Sequence, residues 1–465
     1  MRKTALIYDD SRIPDREIRE ITGNKRFGET IFKRRSLRQR AWETVRNLPG
    51  SPAFFDPDEV TAENTADRAL VKLYSNMVIR DPEAFAVILE KAAYAKECYR
   101  VVVNDEIAAV IYPDTESYFQ SGTADEDNYA KISSEAFIDL AHADSFRQFI
   151  TGGFDARFFN KLSGDNYIVI KQSENVEKLR KEYRFYSLLP EEMRMWFAMP
   201  FAYREEGGSA SYSMERYHMT DLAIRYVHGA ISPVEFRSIM EKLFHFISTR
   251  SEKSVTADEY ERCERALYVD KVKSRIEDLK KTAAFERIEA LLRSGSKYES
   301  IDAVFDLYYR LYEKITHKKR FKPVLVVGHG DLCFSNILYN DEASFMKLID
   351  PKGALNEEEL YTNPYYDVAK LSHSVCGAYD FFNSDLFEIV VDEDMKLKLR
   401  LDADTAQYQA VFMEYLNRYK LDPQLIRLYE ASLFLSMLPL HIDREKKVLG
   451  LLLNAIGILE GIEIE

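Results

Sequence analysis

Thirteen residues constrain the fold of this chain more than any other stretch. Residues 324–336 read VLVVGHGDLCFSN, and the sequence continues through ILY, a polar turn and FMKLIDPKG. Four apolar β-formers running into a glycine-punctuated polar loop predict a buried strand over Val324–Val327 that delivers the loop to a fixed place. Residues 337–339 and 345–349 predict two further short strands around a turn. A loop leaving a buried strand can hold Asp331 rigidly. Asn336, five residues later, turns back toward the same place, and the hairpin brings Asp350 beside it. One carboxylate set to receive a proton and two oxygen ligands for a hard divalent cation are what phosphoryl transfer asks of a protein. The remaining demand is for orientation and charge.

Composition narrows the classes around that loop. At 465 residues the chain is long enough for two or three cores. A net charge of −13 argues against a protein that coats nucleic acid or an anionic membrane. The local run Lys33-Arg34-Arg35, with Arg38 and Arg40, reads as a solvated helix face. Cys98, Cys263, Cys333 and Cys376 are scattered without a CxxC pair, so neither a disulfide framework nor a zinc site is expected, which fits a reducing cytoplasm. The opening MRKTALIYDDSR turns polar too soon for a signal peptide, and no apolar run approaches the ~20 residues of a membrane span.

Periodicity predicts a small α/β domain over residues 1–120. It holds a strand at 5–8, a helix at 37–48 stopped by Pro49-Gly50, a β-rich stretch at 70–79, a helix opened by Asp81-Pro82, and a hairpin of 100–103 with 107–112. The small, acidic segment SGTADED marks residues 121–130 as a linker. Residues 131–465 form the second domain. Its expected elements are a helix over 133–150 ending at Gly152-Gly153, strands at 156–162 and 167–171, a helix stopped by Pro190, and a strand at 211–214. A helical block spans 232–315, and helices resume after the three short strands. The class is α+β, with a small β-rich lobe at about 151–215 and a large helical lobe at about 216–465.

His329, Gly330, Asp331 and Asn336 match, position by position, the H-G-D-x-x-x-x-N loop of the aminoglycoside phosphotransferase and choline kinase superfamily, which this region resembles. Asp350 falls where that family carries its metal-binding aspartate. The resemblance implies a two-lobed, protein-kinase-like fold that uses ATP and Mg²⁺. It gives Asp331 the role of catalytic base and Asn336 and Asp350 that of metal ligands. His329, and Asp367 within NPYYDVAKL, become structural braces. YIVIK resembles the family's strand ending in the lysine that contacts the α- and β-phosphates, here Lys171. Glu182 is the expected carboxylate partner of Lys171, with Glu177 as its rival. Gly152 and Gly153 would let backbone N–H groups approach phosphate, and Glu215 and Tyr217, in MERY, stand where the family's hinge binds adenine.

The implied acceptor is a small molecule with a hydroxyl group: a sugar, polyol or amino alcohol of the kind used in surface polysaccharides. Glu357, Glu358 and Glu359 with Tyr361, Tyr365 and Tyr366 suit a cationic acceptor, whereas Lys352 suits an anionic one, and both remain open at this point. The alternative to an enzyme is a nucleotide-binding pseudokinase with a regulatory or scaffolding role. Residues 63–112 are similar to part of a nucleotidyltransferase-like domain. Its G-x-G-x-R phosphate signature is absent, since Asp9-Asp10-Ser11-Arg12 follows the first strand, so the domain is read as degenerate or structural.

Overall fold

The computed structural model describes residues 2–121, 126–151, 160–165, 167–317, 319 and 321–464. The chain divides into two compact units, one of Met1–Asp155 with His228–Ala230, the other of Ala156–Val227 with Ile231–Glu465.

The first unit is built on a six-stranded mixed sheet. In chain order its elements include β1 (Lys3–Asp9), α1 (Leu37–Arg46), β2 (Ala53–Phe55), β3 (Arg68–Tyr74), α2 (Pro82–Ala92), β4 (Tyr99–Val103), β5 (Glu106–Tyr112) and β6 (Ala130–Ser133). The strands lie in the order β2-β1-β3-β5-β4-β6, with β1 parallel to both of its neighbours. Strand β1 is buried from Ala5 to Tyr8, as expected of a strand covered on both faces. Three expectations change here. Residues 133–150 are not one helix: Phe137–Asp139 is a strand paired with Met77–Ile79, and only Ala143–Ile150 is helical. The basic run 33–35 lies at the tip of a short hairpin, Ile31–Phe32 with Arg35–Ser36, not on a helix face. Part of the expected linker is fastened to the sheet, because Glu126 accepts hydrogen bonds from Lys72, Tyr74 and Tyr112, and β6 pairs with β4.

The second unit opens with a four-stranded antiparallel sheet: β7 (Asn160–Gly164), β8 (Ile168–Ser173), β9 (Pro200–Glu206) and β10 (Ser209–Glu215), in the order β7-β8-β10-β9. One helix, α3 (Val176–Leu188), packs on it; Asn175 caps that helix by accepting from Lys178 N at 3.0 Å. Leu179 of α3 is fully buried against Ala210 and Tyr212 of β10. Strand β9 is not among the sequence expectations, since its PFAYREE carries no apolar run.

A larger helical region follows. It contains α4 (Pro233–Ser248), α5 (Ile301–Thr316), the short strands β11 (Val324–Val327), β12 (Ile337–Asn340) and β13 (Phe345–Leu348), and then α6 (Tyr366–Val375), α7 (Pro423–Met437) and α8 (Glu445–Ile464). Its core is aromatic-rich; Tyr268 and Tyr429 stack at 3.7 Å. Apart from an unforeseen hairpin, Phe387–Val391 with Leu397–Leu401, the stretch after β13 is mostly helical. A small β-rich lobe followed by a large helical one gives an α+β fold, and no helix among the described residues is long and apolar enough to cross a membrane.

Candidate active site

Lys171 sits in β8 opposite Tyr212 of β10, so its side chain leaves the sheet on the face that α3 covers. Only 2% of it is exposed. Its Nζ donates to Glu182 Oε2 at 2.6 Å and to Asp350 Oδ1 at 2.8 Å, a residue 179 positions away. Tyr212 OH donates to the same Glu182 oxygen at 3.1 Å. Glu177, by contrast, is exposed and faces Lys181 at 3.4 Å. Burial works hardest against the charge on Lys171, but Asp350 and Glu182 together outweigh it and hold the lysine above its ordinary value.

The loop after β11 is fixed from several directions. Asp367, fully buried at the start of α6, accepts from His329 N and Gly330 N at 2.9 Å each, and from Arg250 Nη1 at 2.9 Å. His329 is also fully buried. Its Nδ1 accepts from Asp331 N at 3.2 Å, so its Nε2 must be the nitrogen that donates to Ile349 O at 2.9 Å. Burial pushes this imidazole downward, toward the neutral form that such a pattern requires. Gly330 takes a φ of +78°, a left-handed turn that suits glycine.

Asp331 lies deep among protein atoms, yet 44% of its side chain stays open to the cleft. Burial would raise its carboxyl, but Lys370, at 2.9 Å, wins and holds it below the usual carboxylate range. Asn336 Nδ2 donates to Asp331 O at 2.8 Å and lies 3.3 Å from Oδ2. Asn336 Oδ1 and Asp350 Oδ2 have no hydrogen-bond donor among the described residues. Two free oxygens, one amide and one carboxylate, fit the preference of Mg²⁺ for a few hard ligands completed by phosphate and water. No group of three or more His, Cys, Asp or Glu able to hold a metal by themselves occurs among the described residues, so phosphate oxygens would have to complete such a site.

Asp350 itself has a φ of +53°, rare for a residue with a side chain, which aims its carboxylate at Lys171. Three residues on, Gly353 explains how that loop and α3 come together. A Cβ there would lie 2.6 Å from Lys181 C and 2.7 Å from Glu182 N, and Ala354 N donates to Lys181 O at 3.0 Å. Glycine lets the loop press directly on the turn of α3 that bears Glu182.

A cleft beside this network is lined by Phe185, Tyr186, Phe197, Met214, Ile349 and Asp350, among others. Glu215 and Tyr217 do not line it. Side chains alternate along β10, so Met214 faces the cleft where Glu215 faces away. Tyr217 instead packs near Phe345, at 6.1 Å. Gly152 and Gly153 lie outside the described residues. Lys370 was missed in the sequence, and its placement one helical turn after Asp367 is the only signal that could have found it. In the first unit, the turn after β1 is occupied by its own side chains: Asp9 Oδ1 accepts from Ser11 N at 2.9 Å, and Asp10 Oδ1 accepts from Gly28 N at 3.0 Å.

No protein-family model matches the sequence, and no curated protein matches it. Solved structures similar to this chain include aminoglycoside phosphotransferases. Aminoglycoside 2'-phosphotransferase-IIIa in its GDP complex is 14% identical with a TM-score of 0.42, over 66% of this chain and 90% of that one. The type VIII aminoglycoside-3'-phosphotransferase is 14% identical with a TM-score of 0.35, over 60% and 87%. Aminoglycoside phosphotransferase APH(4)-Ia is 11% identical with a TM-score of 0.36, over 69% and 98%.

Proposed function

We propose that the second unit is a phosphotransferase that moves the γ-phosphoryl group of ATP to a hydroxyl of a small molecule. The observation that carries this reading is the convergence of Lys171, Glu182 and Asp350, from a strand, a helix and a distant loop, beside the loop that bears Asp331 and Asn336. A buried lysine gripped by two carboxylates would be an expensive way to gain stability alone. It is a sensible way to keep a cation ready for a polyphosphate.

On nucleotide binding, Lys171 turns from Asp350 toward the α- and β-phosphates while Glu182 keeps hold of it. That frees Asp350 to act with Asn336 as a ligand pair for Mg²⁺, which when bound neutralises charge on the phosphate oxygens. Asp331, ionised at neutral pH, accepts the hydrogen bond of the acceptor hydroxyl. The acceptor oxygen bonds to the γ-phosphorus as the bond to the β,γ-bridging oxygen breaks. ADP leaves, and the hydroxyl proton passes to Asp331 and on to water. His329 and Asp367 keep the base in place without touching the reacting atoms.

The test is nucleotide binding by the full chain, followed as a shift in melting temperature. Mg-ATP should stabilise the protein clearly more than ATP with chelator. A protein that ignores ATP, with or without Mg²⁺, would overturn the reading.

A further inference from the structure

We infer that the acceptor is an anion: a small hydroxyl compound that also carries a carboxylate or phosphate group, bound next to Asp331 beside Lys370 and Lys271. This rests on the phosphotransferase reading and gives it a substrate class.

The argument begins with spacing. Residues 366, 370 and 373 lie on one face of a helix, and Lys370 Nζ touches Asp331. That face gathers positive charge from two other elements. Lys271, from the helix Lys271–Lys280, donates to Tyr366 OH at 3.3 Å and lies 5.7 Å above the ring. Among the described residues no carboxylate pairs with Lys271. Lys447, from α8, is 2% exposed, donates to Asn383 Oδ1 and lies 5.7 Å over Tyr379. The carboxylate that pairs with Lys370 is Asp331 itself, the group that the hydroxyl must engage.

His373 records the resulting field. It is fully buried, stacked between Tyr379 and Phe434 at 4.2 Å each, and neither ring nitrogen has a hydrogen-bond partner. Burial and then the charges of Lys370, Lys447 and Lys271 drive it far toward the neutral form. A cationic acceptor brought up to Lys370 and Lys271 would meet repulsion from the same charges.

Two of the acidic residues that could have favoured a cation, Glu358 and Glu359, are engaged elsewhere. Glu358 pairs with Lys253. Glu359 accepts from Asn356 Nδ2 at 3.1 Å and from Leu355 N at 3.3 Å, and faces Lys181 at 3.5 Å. The Glu357–Leu360 segment is therefore a self-capped turn.

Four matched probes test this on the full chain: glucose 6-phosphate, gluconate, glucose and glucosamine, each followed by ATP consumption and by added thermal stability over Mg-ADP alone. One or both of the anionic probes should respond, and respond more strongly than glucose or glucosamine. A response to glucose 6-phosphate alone would identify a phosphate group, and a response to gluconate alone a carboxylate. Lys271→Gln, at a partly exposed position, should raise KM or Kd for the responding anion by about 10-fold while leaving Mg-ATP affinity intact. An equal or stronger response to glucose or glucosamine overturns the inference, as does no response to any probe, or an unchanged Lys271→Gln. Loss of Mg-ATP binding in the wild-type protein is a different result, because it removes the phosphotransferase reading itself.

Discussion

Two lysine–carboxylate pairs stand in the candidate site, and they are built differently. Lys171 and Glu182 are sealed between sheet and helix, both almost wholly buried, with Tyr212 completing the network. Lys370 and Asp331 make a contact of 2.9 Å against 2.6 Å for the first pair, but nearly half of the Asp331 side chain remains open. A sealed pair holds one geometry because breaking it would strand a charge in low dielectric. An open pair can exchange partners at little cost, since water covers the transition. The sealed pair suits a group that must stay in position through every cycle. The open pair suits a base that must release one partner and take another.

Six single variants and one double variant would break or sharpen this contrast. Asp331→Asn strikes the open pair and should have the largest effect. Turnover should fall by about 10²–10⁴-fold, as for a lost general base, with Mg-ATP affinity near normal; steady-state kinetics and calorimetric titration separate the two. Unchanged turnover would show that Asp331 takes no proton.

Lys171→Ala strikes the sealed pair. It should weaken Mg-ATP binding by roughly 10–100-fold, the worth of a charge-assisted contact, and also lower the melting temperature, because Glu182 is left buried without its cation. Glu182→Ala should act the same way but less strongly. The double variant should cost much less than the sum, since the two act as a unit. Glu177→Ala should do little in the same assays, as its side chain is exposed.

Lys370→Met changes the pH response. In the wild type the carboxyl is held below the ordinary aspartate value of about 3.9, so activity that needs the carboxylate is kept down to acidic pH and lost only as pH falls through that lowered value. Removing the lysine leaves burial as the stronger influence, so the acid limb of kcat/KM should move to higher pH. A limb that stays in place would mean that Lys370 does not set the protonation of Asp331.

Gly353→Ala should have the smallest effect of the changes inside the site. The new methyl would press on the backbone at Lys181 and Glu182, and the residue would keep a φ of +86°. A loss of about 1–3 kcal/mol in denaturant unfolding is expected, with a few-fold rise in the KM for ATP as α3 is pushed from Lys171.

How far the sequence could be read follows from the nature of each contact. The loop of His329, Asp331 and Asn336 was legible because polar identities at fixed spacing stand between apolar strands. Strand β11 spans Val324–Val327 in both readings. Lys171 and Glu182 were legible as a strand end and a helix position, and the structure brings their side chains together. Lys370 was not, because its contact with Asp331 depends on how α6 packs and not on local pattern. Of the MERY segment, Met214 lines the cleft and Glu215 and Tyr217 do not, because in a strand one residue changes the face that a side chain takes. Residues 133–150 deceived for a related reason: Phe137, Ile138 and Leu140 satisfy a helical spacing while two of them belong to a three-residue strand.

The His329 ring has a consequence for how the site ages under mutation. Its acceptor edge is spent on the backbone of Asp331 and its donor edge on the carbonyl before Asp350. The imidazole is thus a ruler laid between Asp331 and Asp350, and each is gauged against the other through it. A side chain of different reach would not merely loosen one residue; it would detune the spacing of both together. Repair would then require a second change in the opposite strand, so this position should drift only in company.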